Sequence, residues 1–142
     1  YPPEHAALSS LFEAITHESF ETARTFYGCI ASVAPNHATL LREPSAATEA
    51  LPLPAGETVL WDKRWLVTAR GQILPHTLMI RALGNPPHAL IDHLAPGLRH
   101  QIPQGRIRAS LPALWNGDEL YAIPSFDATY PFCMAYRKQT FP

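Results

Sequence analysis

The spacing of hydrophobic residues predicts one helix near the start of the chain, followed by strands. The apolar side chains of the helical segment fall on one face: Leu8, Leu11, Phe12 and Ile15. Pro2 and Pro3 suit its opening turn. The pattern then changes. The stretches "TARTFYGCIASVAP" and "NHATLLRE" predict two strands around a turn at Pro35–His37, with Gly28 as a candidate bulge.

Two further segments are expected to form hairpins, each with a Leu-Trp pair before its turn. They are "LWDKRWLV" at residues 60–67 and "LWNGDELYAIP" at residues 114–124. In the second, Asn116 and Gly117 predict a type I′ turn because both tolerate positive φ. A strand is expected in "TLMIRAL", and short helices in "NPPHALIDHL" and "QGRIRAS".

These elements together predict an α+β fold. We expect antiparallel β hairpins that form a small sheet or partial barrel, with the N-terminal helix and the short helices at one end. The length of 142 residues favours a single domain over 1–142 that is long enough to bury a core. The first residue is Tyr1 rather than methionine, so we expect a fragment of a larger protein.

Composition gives no global sign of a partner. The net charge is −1, from 11 Lys and Arg against 12 Asp and Glu, so any basic surface must be local. The cysteines, Cys29 and Cys133, are typical of small buried residues in a reducing cytoplasm. No apolar run is long enough to cross a membrane, and we expect a cytoplasmic protein without a membrane partner.

Known catalytic and cofactor motifs are missing from the sequence. It contains neither glycine-rich phosphate loop, G-x-x-x-x-G-K-[ST] or G-x-G-x-x-G, and no G-x-S-x-G elbow. His88 and His93 are five residues apart, one more than the spacing that aligns two ligands on a helix. We therefore expect no catalytic residue, no metal and no cofactor in this chain. A small independent enzyme, the further alternative, requires His88, His93, Cys29 or Cys133 to converge in a pocket with a metal.

A local excess of basic residues is the main functional signal. No acidic residue lies between Asp92 and Asp118. Such a surface is typical of phosphate contacts, and an aromatic residue beside it can stack on RNA bases. The RNA-binding candidates are Lys63, Arg64, Arg99, Arg106, Arg108 and Trp115. A solvated surface without a ligand is the alternative for the basic residues, and core packing is the more common role of a Trp at a strand end.

Four segments in order resemble the C-terminal half of tRNA(Ile)-lysidine synthetases of the alphaproteobacterial type. They are "YPPEHAALSSLFEAI", "ARTFYGCIASVAPNHATLLREP", "PAGETVLWDKRWLV" and "IRASLPALWNGDELYAIP". The chain departs from the family where Phe26-Tyr27-Gly28-Cys29 stands for Leu-Gly-Gly-Cys. It departs again where Lys63 replaces a turn glycine.

The resemblance implies a tRNA modification function for the parent protein. Such ligases use ATP and Mg to attach lysine to the wobble cytidine of tRNA(Ile), and their catalytic residues lie in an N-terminal ATP-pyrophosphatase domain that opens with Ser-Gly-Gly-x-Asp-Ser. That motif is not in this sequence. The resemblance thus predicts a tRNA-binding fragment, with tRNA(Ile) and the catalytic domain as partners. A structural domain, or a homodimer, is the alternative.

Overall fold

The computed structural model describes residues 5–17, 23–34, 37–69, 78–94, 96–124 and 132–136. Contacts divide the chain into two compact units, Tyr1–Ala46 and Ala47–Pro142. The sequence predicts a single domain over 1–142 from chain length. This division into contact units does not test that expectation, which stays a prediction.

In the first unit, the residues that the structure describes form a helix and a three-stranded antiparallel sheet. Its elements are α1 (His5–Thr16), β1 (Arg24–Phe26), β2 (Cys29–Ala34), β3 (His37–Arg42) and a 3-10 turn (Pro44–Ala46). The strand order is β1-β2-β3. The predicted helix is confirmed. The expected turn at Pro35–His37 lies largely outside the described residues, although His37 itself begins β3.

Gly28 occupies a tight turn in the first unit, where the sequence suggested a bulge. Tyr27 and Gly28 have φ values of 45° and 71°, the positive angles that a type I′ turn requires at both central positions. The Arg42 guanidinium donates to the Gly28 carbonyl at 3.0 Å and to the Ala46 carbonyl at 2.9 Å. Arg42 therefore joins the β1–β2 turn to the segment that follows β3.

The described residues of the second unit form two antiparallel sheets and three short helices. One sheet has the order β4-β7-β8-β9 and the other β10-β6-β5, and neither closes into a barrel within the described part of the chain. The α+β prediction is confirmed. The elements are β4 (Leu51–Leu53), β5 (Thr58–Trp61), β6 (Trp65–Ala69), β7 (Leu78–Ala82), α2 (His88–Leu94), α3 (Leu98–Gln101), α4 (Arg106–Ala109), β8 (Pro112–Asn116), β9 (Glu119–Ala122) and β10 (Phe132–Tyr136).

Strand β8 is buried on both faces and separates two hydrophobic clusters. Leu114 belongs to a cluster with Trp61 and Val67 of the β5–β6 hairpin. Ala113 and Trp115 belong to a second cluster, which includes apolar residues of α2 and α3. Successive side chains of a strand point to opposite faces, so "LPALW" is apolar without alternation because both of its faces meet a core.

The β8–β9 turn is one residue further along than the sequence predicted. Asn116 ends β8 and pairs with Glu119, so the two turn residues are Gly117 and Asp118. Gly117 has φ 58°, whereas Asn116 is not in the positive-φ region. A glycine at the first of two turn positions is typical of type II′ rather than type I′. A register shift between Leu114 and Trp115 accompanies this placement.

Trp61 and Trp115 are both buried, but their indole nitrogens differ in hydrogen bonding. Trp61 Nε1 donates to the Glu49 carbonyl at 2.8 Å. Trp115 Nε1 is also buried, and it has no hydrogen-bond partner among the described residues. One side of the Trp115 ring is covered by the Arg81 guanidinium, whose Cζ lies 4.2 Å from the ring centroid. The two Leu-Trp pairs therefore serve packing, with one polar anchor at Trp61.

This difference predicts unequal costs for the same substitution. We expect Trp61→Phe to lower the free energy of unfolding by about 1–2 kcal/mol more than Trp115→Phe, because only the former leaves a carbonyl without its donor. Thermal or urea unfolding of both variants measures this directly. Equal destabilisation would contradict the assigned role of the Trp61 hydrogen bond.

Candidate anion-binding cleft

A polar cleft of about 380 Å³ lies among the three short helices of the second unit. The described residues that line it are basic or neutral, with no carboxylate among them: His88, Arg99, His100, Gln104, Gly105 and Arg108. A cleft with this lining is suited to an anion, because guanidinium groups bind phosphate and carboxylate through charge-assisted hydrogen bonds.

The local sequence explains why these polar residues face a common space. The helices direct their apolar residues into the core, where Ile91, Leu98 and Ile102 are almost completely buried. Gly97 has φ 85° and Gly105 has φ 64°, so both chain reversals use glycine where other residues are strained. Short helices separated by such turns leave their polar residues at the rim of the core.

Arg108 is the most unusual residue of the cleft. It is only 8% exposed, and its Nε donates to the Pro103 carbonyl at 3.2 Å. Among the residues that the structure describes, no carboxylate lies within ion-pair distance of its guanidinium. Burying a charge without a counter-ion is unfavourable. A bound anion would supply the missing negative charge.

Arg99 is held in place by helix α2. Its Nε lies 3.7 Å from Asp92 Oδ1, and its Nη1 lies 3.4 Å from His88 Nδ1. The Arg99 and Asp92 side chains are both partly exposed, at 34% and 41%. The ion pair is therefore weak as a source of stability and matters chiefly because it orients the guanidinium. His100 is exposed at the edge of the same cleft.

The structure brings together two of the six RNA-binding candidates, Arg99 and Arg108. Arg106 is exposed on α4 and does not line the cleft, and Lys63 is exposed in the β5–β6 turn. Arg64 has a structural role instead. Its guanidinium contacts Asp62 Oδ2 at 2.7 Å and donates to the Ser110 carbonyl at 3.2 Å.

Trp115 is not a stacking platform. The sequence analysis named it as an RNA-binding candidate, but it is only 7% exposed and belongs to the second hydrophobic cluster. The core and Arg81 cover its ring, so a base has no access to it. The correction follows from the double burial of β8, which leaves neither face of this strand at the surface.

Sequence reasoning missed His88, Gln104 and Gly105 as cleft residues. His88 was considered only as a metal ligand with His93, and no group of metal-binding side chains occurs within the described ranges. Cys29 is a half-buried free thiol, while the side chain of Cys133 lies outside what is described. The available signal was the acid-free stretch after Asp92, interrupted by Gly97, Pro103 and Gly105.

Comparisons with known proteins add no relative. No protein-family model, curated protein or solved structure matches this chain. The resemblance to tRNA(Ile)-lysidine synthetases therefore stays a prediction. Among the helices described, none is long and apolar enough to cross a membrane.

The contrast between Arg108 and Arg64 predicts that substitution by methionine destabilises the protein much less at position 108 than at position 64. We expect Arg108→Met to change the free energy of unfolding by less than about 1 kcal/mol, because it removes a buried charge that lacks a counter-ion. Arg64→Met should lower it by about 2 kcal/mol, because it removes the ion pair with the nearly buried Asp62 and the hydrogen bond to the Ser110 carbonyl. Urea unfolding of both variants tests this. A large loss for Arg108→Met would mean that Arg108 is structural.

Proposed function

We propose that the second unit binds RNA through a phosphate group held in the cleft. The observation that carries this proposal is Arg108, a residue that is only 8% exposed, lines the cleft and has no carboxylate partner in the described part of the chain. Arg99 adds a second guanidinium, oriented by Asp92 and His88. Arginine binds phosphate, like carboxylate, with two parallel hydrogen bonds, and phosphate contacts of this kind position RNA without reading its sequence.

The step from an anion to RNA is supported by two features of the sequence. No acidic residue occurs between Asp92 and Asp118, so the segment that builds the cleft does not repel a polyanion. The resemblance to tRNA(Ile)-lysidine synthetases indicates that this RNA is a tRNA.

We propose further that the parent protein is a cytoplasmic tRNA(Ile)-lysidine synthetase. In this proposal the chain positions tRNA(Ile), and an N-terminal ATP-pyrophosphatase domain uses ATP and Mg to attach lysine. The chemistry belongs to that domain, since this sequence lacks its Ser-Gly-Gly-x-Asp-Ser motif. The four ordered segments are the support for this assignment.

A structural or dimer-forming domain is the second candidate. Helix α1 favours it, because Leu8 and Phe12 are 43% and 67% exposed. Apolar exposure of this kind is common at protein interfaces. Sedimentation analysis with and without RNA separates the candidates, because a domain that only dimerises self-associates without binding RNA.

RNA binding through the cleft predicts different effects for two neighbouring arginines. We expect Arg108→Gln to weaken binding of an unmodified tRNA(Ile) transcript about tenfold or more, since it removes a charge-assisted contact. The salt dependence should fall by about one unit of slope. Arg106→Gln removes the same formal charge outside the cleft and should cost much less. Fluorescence anisotropy across a salt series measures both effects.

A second tRNA serves as the specificity control. Preferential binding of tRNA(Ile) supports the lysidine synthetase assignment, whereas equal binding of both tRNAs supports only the RNA-binding proposal. If the wild-type chain binds no RNA at low salt, the RNA-binding proposal is wrong. Equal losses in the two arginine variants would argue against the cleft as the contact site.

A further inference from the structure

We propose that the cleft binds a terminal phosphate monoester, the phosphorylated 5′ end of an RNA strand, in preference to an internal phosphodiester. This inference rests on the proposed function, because it specifies which phosphate of the RNA enters the cleft. It is carried by the charge of the lining, the uncommitted donors of Arg108 and the dimensions of the cleft.

The positive charge of the lining comes from two guanidinium groups. Arg108 has no carboxylate neighbour in the described ranges, and Arg99 lies 3.7 Å from the partly exposed Asp92. Because an exposed ion pair offsets the charge of Arg99 only in part, the two groups together carry more positive charge than one phosphodiester neutralises. A phosphodiester carries one negative charge, whereas a phosphate monoester carries about −1.5 to −2 near pH 7. The monoester is the better match.

The donors also match a phosphate with three terminal oxygens. Arg108 Nε is occupied by the Pro103 carbonyl, which fixes the plane of the guanidinium and leaves its two terminal nitrogens for a ligand. Arg99 is likewise held at Nε and Nη1, so its Nη2 remains. A monoester offers three terminal oxygens to these donors, one more than a diester.

The size of the cleft favours the end of an RNA strand over an internal position. Its volume of about 380 Å³ lies near the lower limit of ligand-binding clefts, which span roughly 300–1,000 Å³. An internal phosphate brings a nucleotide on each side, whereas a terminal phosphate brings one. Gln104 supplies an uncharged donor and acceptor at the same cleft, suited to the hydroxyl or base of that nucleotide.

The test compares RNA strands that differ only at their ends. Single-stranded oligonucleotides of one sequence, with a 5′-phosphate or a 5′-hydroxyl, are titrated against the full chain by fluorescence anisotropy. We expect the 5′-phosphorylated strand to bind about tenfold more tightly, because it adds charge-assisted contacts. Arg108→Gln should reduce this preference to about twofold or less, and Arg106→Gln should preserve it. The comparison of the two strands uses the wild-type chain alone, so it tests the inference even where a variant fails to fold.

The outcomes separate this inference from the proposed function. Equal affinity for the two strands, with binding that still depends on Arg108, would overturn the terminal-phosphate inference and leave RNA binding intact. No binding of either strand, or of the tRNA transcript, would overturn both. A phosphoserine peptide is the further arm: if it binds more tightly than the 5′-phosphorylated RNA, the cleft serves a protein ligand and the inference is wrong.

Discussion

Burial of β8 on both of its faces is the constraint on which the second unit depends. Leu114 packs with the β5–β6 hairpin on one side, while Ala113 and Trp115 pack with the helical residues on the other. A strand at the centre of two cores cannot shift by one residue without moving polar groups inward. The positions of α2 and α3 follow, because Ile91 and Leu98 cover the second face.

The cleft is a consequence of this packing together with very short helices. Each of α3 and α4 has four residues, too few to form a stable helix alone, so tertiary contacts hold them. The buried side chains of Leu98 and Ile102 hold α3 against the core, and the buried Ala109 does the same for α4. The polar residues between these anchors have little freedom, so the core determines where the guanidinium groups lie.

The sequence predicted the elements well and the placement of individual side chains less well. Helix α1 and the hairpins were predictable because hydrophobic periodicity and turn residues are local signals. The turn at Gly117 was placed one residue early, since glycine suits both type I′ and type II′ turns and the register shift at Leu114 is set by neighbouring strands. Burial of Arg108 had no sequence signal, because arginine is usually exposed.

Packing alone gives no reason for a charge at position 108. The side chain is buried beside apolar neighbours in the sequence, Ile107 and Ala109, and its one described hydrogen bond goes to the Pro103 carbonyl. An uncharged side chain of similar length would avoid the desolvation cost at this site. Arg64 shows the contrasting case, in which a guanidinium neutralises the nearly buried Asp62. Arg64 is therefore explained by the folded chain itself, whereas the described residues give Arg108 no counter-ion, and this difference is the basis of the proposed anion site.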